Sequence, residues 1–152
     1  MYNAEYVIAR EEKVEAHFVA GAGCPLAGKE FLSVQELLSQ PFLLTEKGMS
    51  YRRLLDQKLA EMSLELHPVL EIGSTDLLCS LVGQGAGVTF LPDFVTEEEV
   101  RSGRLLRISV NDFKIHVWKQ LLYHRDKWLS PPMECVLRYC AQREFSSDRE
   151  EI

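Results

Sequence analysis

The sequence is poor in several features that would place it outside ordinary globular proteins. Long apolar runs are missing: the longest, such as Pro41-Phe42-Leu43-Leu44, hold only a few residues, against the ~20 that a membrane-spanning helix requires. No interaction with membrane is therefore expected. The opening Met1-Tyr2-Asn3-Ala4-Glu5-Tyr6 has neither a basic nor a long apolar segment, so a secretory leader is not expected and a cytoplasmic location is. Positive charge is in deficit, with 17 Lys+Arg against 23 Asp+Glu and a net charge of −6. Arg52-Arg53 is only a pair, and without a basic stripe the counterion release that drives most DNA affinity is small. Cysteine is scarce and scattered: Cys24, Cys79, Cys135 and Cys140 form no Cys-Xaa-Xaa-Cys knuckle and are too few for a disulfide framework at this length. They read as reduced thiols filling core space, and Cys135 and Cys140, five apart, diverge by about 140° on a helix.

The usual catalytic patterns are missing too. His17, His67, His116 and His124 show no metal-ligand spacing, and no Gly-Xaa-Ser-Xaa-Gly elbow occurs. Cys79 falls inside an apolar helix pattern, where core packing is the simpler role. No cofactor, metal or catalytic residue is expected. Gly83-Gln84-Gly85-Ala86-Gly87 follows a helix and leads into a strand, the reverse of a phosphate-binding loop, so it serves to end one element and turn the chain into the next.

What is present is a core. With 46% hydrophobic and 26% charged residues in 152, the chain suits one domain of about 100–200 residues. Val14, Ala16, Phe18 and Ala20 alternate with Glu15, His17 and Val19, the period of a half-buried strand. Ser33-Val34-Gln35-Glu36 is a capping box that opens a short helix. Phe42-Leu43-Leu44 reads as a buried strand, followed by a helix carrying Tyr51, Leu55, Leu59 and Met62 at helical spacing. The unit repeats: Val69 to Ile72 is a strand, and Leu77, Leu78, Leu81 and Val82 share a helical face. Gly87 to Leu91 is a third strand, giving βαβαβ order and a parallel sheet. Thr96-Glu97-Glu98-Glu99 reads as a second capping box, with Gly103 ending that helix. Leu105, Leu106 and Ile108 form a short strand, and Ile115 to Tyr123 a longer one. Ser130-Pro131-Pro132 opens a last helix, with Met133, Val136, Leu137 and Cys140 on its apolar face. Residues 146–152 read as a frayed polar tail.

In an open parallel sheet, ligands lie beyond the carboxyl ends of the strands, where helix starts turn unpaired amides outward. Two loops qualify, Thr45 to Tyr51 and Gly73 to Asp76. Both carry hydroxyls at a helix start and together suit a small anion, although N-capping alone would account for either.

The motif order resembles the effector-binding domain of LysR-type transcriptional regulators. Val19 to Ala27 is similar to that family's His-Pro-Leu-Ala strand end, with Cys24 where the His is usual. Ser33 to Leu44, then Glu71 to Pro92, Gly103-Arg104-Leu105, and Lys127 with Ser130-Pro131 follow in the family's order, over about residues 14 to 141. The resemblance implies an α/β, periplasmic-binding-protein-like fold. A doubly wound, mostly parallel effector-binding subdomain would span 21–113. The remnant of the first subdomain would supply 1–20, and its return strand and last helix 114–145. It also implies that the family's helix-turn-helix, and the early part of the first subdomain, lie outside this sequence, so that DNA is met only through another domain. A small, anionic effector is expected, held by Thr45, Gly48, Ser50, Tyr51, Ser74, Thr75, Val88, Thr89 and Phe90, together with homodimerisation. Two rival readings are a fragment of a transporter's solute-binding protein, which has the same architecture, and a small α/β enzyme using the loop at 45–51.

Overall fold

The computed structural model describes residues 4–26, 28–30 and 32–145; the tail expected at 146–152 lies outside them. The elements in order are β1 (Tyr6–Gly21), α1 (Val34–Leu37), β2 (Leu43–Leu44), α2 (Ser50–Glu61), β3 (Leu70–Glu71), α3 (Thr75–Gly83), β4 (Val88–Pro92), α4 (Asp93–Arg101), β5 (Leu105–Ile108), β6 (Ile115–His124) and α5 (Pro131–Glu144). The chain divides into two compact units, one holding Val14–Val117 and the other the chain up to Lys13 and from Trp118 onward.

In the Val14–Val117 unit, alternating hydrogen bonds set the order of the sheet. The Phe42 and Leu44 carbonyls accept from Val69 and Ile72 at 2.8 and 3.0 Å, while the Pro41 carbonyl accepts from Val88 at 2.9 Å. Successive carbonyls of a strand point to opposite sides, so β2 lies between β3 and β4. Leu43 pairs in parallel with Leu70, and Phe42 bridges Val88 in parallel. β4 then pairs antiparallel with β1 (Phe18 opposite Phe90), and β1 antiparallel with β5 (Phe18 opposite Ile108). The βαβαβ order is thus a parallel core, with its third strand joined to β2 by one bridge and to β1 by a full antiparallel ladder.

The core fills the faces of this sheet. Phe18 meets the rings of Phe90, Phe113 and Phe42 at centroid distances of 5.0, 5.2 and 5.9 Å. Leu55, Leu59, Leu78 and Val82 are buried from α2 and α3. The Ser33 capping box forms as read: the Glu36 amide donates to Ser33 Oγ at 3.2 Å and the Ser33 amide to Glu36 Oε2 at 3.0 Å, which lowers the Glu36 carboxyl below its usual range. Gly103, at φ +78°, ends α4 as expected.

The second capping box is a correction. α4 begins at Asp93 and not at Thr96, because Pro92 closes β4 and already serves as N-cap. Thr96 is wholly buried, and its hydroxyl donates to the Asp93 carbonyl at 3.4 Å. Burial of that residue, invisible to the local pattern, outweighs the capping signal.

Cys79 is buried on α3, and burial pushes its thiol up to about 11, with Glu99 and Asp76 adding to the shift. The nucleophilic thiolate is thus suppressed at neutral pH. An unfolded Cys titrates near ~8.5, so the stability this thiol contributes is fully present below that pH and is lost as pH rises towards 11. With a thiol-reactive disulfide at pH 8, exposed Cys135 should react promptly and Cys79 only after unfolding. Equal rates for Cys79 in buffer and in urea would contradict this.

In the other unit β6 pairs with β1. The Arg125 amide donates to the Glu5 carbonyl at 2.7 Å, the Gln120 side chain to Glu11 at 2.9 Å, and Lys119 pairs with Glu12 at 3.2 Å. α5 starts as expected behind Ser130, with proline in its first positions. Its Met133, Leu137 and Cys140 are half-buried, but Val136, expected on the same face, is 60% exposed.

Candidate functional site

The chain leaves β2 for β3 on one side and returns past β2 to β4 on the other. That reversal defines a switch point between β2 and β4, and in doubly wound sheets the crevice beyond the carboxyl ends there is where ligands lie. At this edge β2 runs into Thr45, β3 into Ile72-Gly73, β4 into Asp93 and β5 into Ser109. α2, α3 and α4 all begin here.

The two loops read from the sequence are brought together. A Cβ placed on Gly73 would lie 3.2 Å from a carboxylate oxygen of Glu46, so the loop after β2 touches the loop after β3. The two helix starts differ. Ser74 caps α3, its hydroxyl accepting from the Leu77 amide at 3.3 Å, and Asp76 sits in the first turn. α2 has Met49 as N-cap with no side-chain cap bond and no acidic residue in its first turn, so its leading amides keep their capacity for an acceptor.

Beneath this edge lies a buried guanidinium. Arg52 is 2% exposed; Nη1 donates to the Thr45 carbonyl at 2.7 Å and to Glu71 at 3.2 Å, while Nε donates to both oxygens of Asp56 at 3.1 Å. It ties the starts of the β2–α2 loop and of α2 to the end of β3. Burial raises the Tyr51 phenol above its ordinary value, with the Thr45 side chain acting in the opposite direction. The Tyr51 and Thr89 hydroxyls are buried and meet no partner in hydrogen-bond geometry among the described residues.

A cavity of about 370 Å³ opens on the same edge, floored by Phe18, Phe90 and Phe113 and rimmed by Glu15, His17, Asn111, Lys114 and His116. Beside it, His17 Nδ1 lies 2.7 Å from Asp93 Oδ1, and Nε2 lies 3.8 Å from Glu15 Oε2. An ionised carboxylate only accepts, so Nδ1 carries the proton of that short contact.

A family model described as the LysR substrate binding domain matches residues 5–144. The chain belongs to this family. Among curated relatives, the HTH-type transcriptional regulator CbbR of Rhizobium meliloti is 32% identical over 123 residues, 80% of this chain and 39% of that protein. The effector-binding domain of QuiR in complex with shikimate superposes with a TM-score of 0.73 at 17% identity, covering 91% of this chain and 67% of that one. The regulatory domain of CcmR from Synechocystis PCC6803, in complex with 2-PG, gives 0.70 at 20% identity, covering 88% and 69%. At those identities the two structures establish the periplasmic-binding-protein-like fold. The chain spans about two fifths of the length of the curated relatives it matches. The curated relatives reported are transcription regulators.

In this LysR-family domain the residues singled out from the sequence are distributed unevenly. Thr45, Gly48, Ser50, Tyr51, Ser74 and Thr75 come to the carboxyl edge, with Gly48, Ser50 and Ser74 exposed, Thr75 half-buried, and Thr45 and Tyr51 buried. Phe90 is a core residue that also floors the cavity, and Thr89 is wholly buried. Val88 lies at the other end of β4, on a hollow of about 270 Å³ shared with Gly21, Pro41 and Gly85. The sequence reading missed Arg52 and the group of His17 and Asp93. The i,i+4 spacing of Arg52 and Asp56 is a local signal, but Glu71, 19 positions from Arg52, and Asp93, 76 from His17, are not signalled by any local pattern.

Proposed function

We propose that this chain is the ligand-sensing part of a LysR-type transcription regulator, which takes a small anion at the carboxyl edge of the Val14–Val117 unit and so controls a DNA-binding domain elsewhere in the regulator. A cytoplasmic location goes with that role. The observation that carries the reading is the uncapped start of α2 at the switch point. Its leading amides and the Ser50 hydroxyl meet no acceptor among the described residues, and Thr75 offers a further hydroxyl on the neighbouring loop, in a family whose solved members QuiR and CcmR hold shikimate and 2-PG. Glu46 against Gly73 weighs against an anion at α3, because its carboxylate would repel one set there.

Calorimetric titration with shikimate, inorganic phosphate and sulfate tests this. Ser50→Ala and Thr75→Ala should each weaken binding by about 2- to 13-fold, the value of one neutral hydrogen bond of roughly 0.5–1.5 kcal/mol. Ser50→Asp puts a fixed carboxylate in the first turn, so it should abolish anion binding while stabilising the helix by about 0.3–1 kcal/mol. Opposite signs for affinity and stability separate a lost site from lost folding. Anion binding untouched by Ser50→Asp would overturn the proposal.

The same reading includes a homodimer, supported by the apolar side chains left in solvent outside the Val14–Val117 unit: Trp118 is 55% exposed, Trp128 77% and Tyr139 58%. Large apolar side chains left this exposed favour association. Sedimentation velocity at concentrations on the order of tens of micromolar should show the dimer; monomer alone would contradict it.

A further inference from the structure

We propose that Glu15, His17 and Asp93 form a site for a borderline divalent transition-metal ion such as Zn²⁺, Ni²⁺ or Co²⁺. One ligand atom from each residue lies within 4.8 Å of the others. Bonds of about 2.1 Å in tetrahedral geometry put ligand atoms about 3.4 Å apart, so His17 and Asp93, now 2.7 Å apart, open slightly, while Glu15, whose side chain is 59% exposed, rotates inward. Donor chemistry selects the ion. One imidazole with two carboxylates suits zinc, nickel or cobalt, whereas magnesium and calcium favour all-oxygen shells.

Three protein ligands leave at least one coordination position open, and the structure has room for it. Glu15 and His17 form part of the wall of the 370 Å³ cavity, so water or an anionic group can complete the shell from that side. The hydrogen bonding does not close on itself either. His17 is bonded to Asp93 at 2.7 Å, but Glu15 at 3.8 Å is beyond hydrogen-bond distance from the other ring nitrogen. An ion takes one ring nitrogen only, so it displaces the proton there and draws in the carboxylate that now faces the other nitrogen. Arg107 is the competitor: its Nε lies 3.5 Å from Asp93 Oδ1 and its side chain is 34% exposed, so it can turn away when an ion arrives. The ion would join β1 to the start of α4 across the carboxyl edge.

Calorimetric titration of the 152-residue protein with zinc chloride and nickel chloride, in a non-chelating buffer near neutral pH, tests the site. Wild type should bind one equivalent and melt at a higher temperature with metal present. Glu15→Gln, His17→Gln and Asp93→Asn should each lower affinity by more than about tenfold, since even residues that only orient a ligand change metal affinity by 10- to 100-fold. His67→Gln and Cys135→Ser, remote donors, should leave affinity unchanged, and Arg107→Gln should raise it. Glu15 is exposed, so its substitution keeps the fold and the test holds even if Asp93→Asn is destabilised. Absence of binding by wild type overturns the proposal, as does binding that survives both Glu15→Gln and Asp93→Asn intact.

Discussion

Gly87→Ala should remove a large share of the protein's stability. Gly87 has φ +154° and is followed by the amide of Val88, which bonds the Pro41 carbonyl and is the contact that holds β4 to β2. A Cβ at this position would overlap the Pro41 carbonyl oxygen and lie 2.8 Å from Leu43 Cδ1. The oxygen belongs to the backbone and cannot rotate away. Overpacking of this kind costs about 1–3 kcal/mol, and a side chain held in a disfavoured φ adds about 1–3 kcal/mol. Together these come to about 2–6 kcal/mol, which reaches the lower end of the roughly 5–15 kcal/mol of stability expected for a domain. Gly85→Ala is the control: φ is +88° but no atom lies within 4 Å of the added carbon, so only the backbone cost, about 1–2 kcal/mol, remains. Urea unfolding followed by circular dichroism reads both. Equal midpoints for the two variants would show that the approach of Gly87 to Pro41 is not what joins the parallel and antiparallel parts of the sheet.

Phe18→Ala should cost about 3–5 kcal/mol, the usual loss for a buried aromatic ring. Phe18 is 2% exposed and touches three other phenylalanines from three different stretches of chain. Its removal takes away the ring on which both Phe90 and Phe113 pack and deepens the cavity they floor. Phe18→Leu keeps most of the volume and should cost less than about 1.5 kcal/mol. Chemical denaturation of both variants checks the ordering. If Phe18→Ala costs less than Phe18→Leu, the aromatic cluster is not the centre of the core.

Much of this architecture is legible locally. Ser33 and Glu36 announce α1, Pro41 starts β2 afresh, and Gly103 adopts the left-handed φ that ends α4. These signals act within one turn of helix or strand, so a sequence displays them directly. The start of α4 is not legible, because Thr96 is chosen for burial and Asp93 for its place after Pro92. Nor is the Arg52 clamp. The pair Arg52-Arg53 reads as surface charge until the fold brings Thr45 and Glu71 to the guanidinium. The candidate site divides in the same way. Hydroxyls at helix starts can be read off the chain, but that Ser74 is spent as a cap while α2 stays uncapped follows only from geometry.

Mapping an anion onto the protein by amide chemical shifts is the most direct test of the central claim. Isotope-labelled protein titrated with shikimate, and separately with inorganic phosphate, should show saturable shifts at residues 48–52 and weaker ones at 73–76, with α5 unchanged. Saturable shifts confined to other parts of the chain, or none at concentrations on the order of millimolar where even weak binding saturates, would contradict a ligand site at the start of α2.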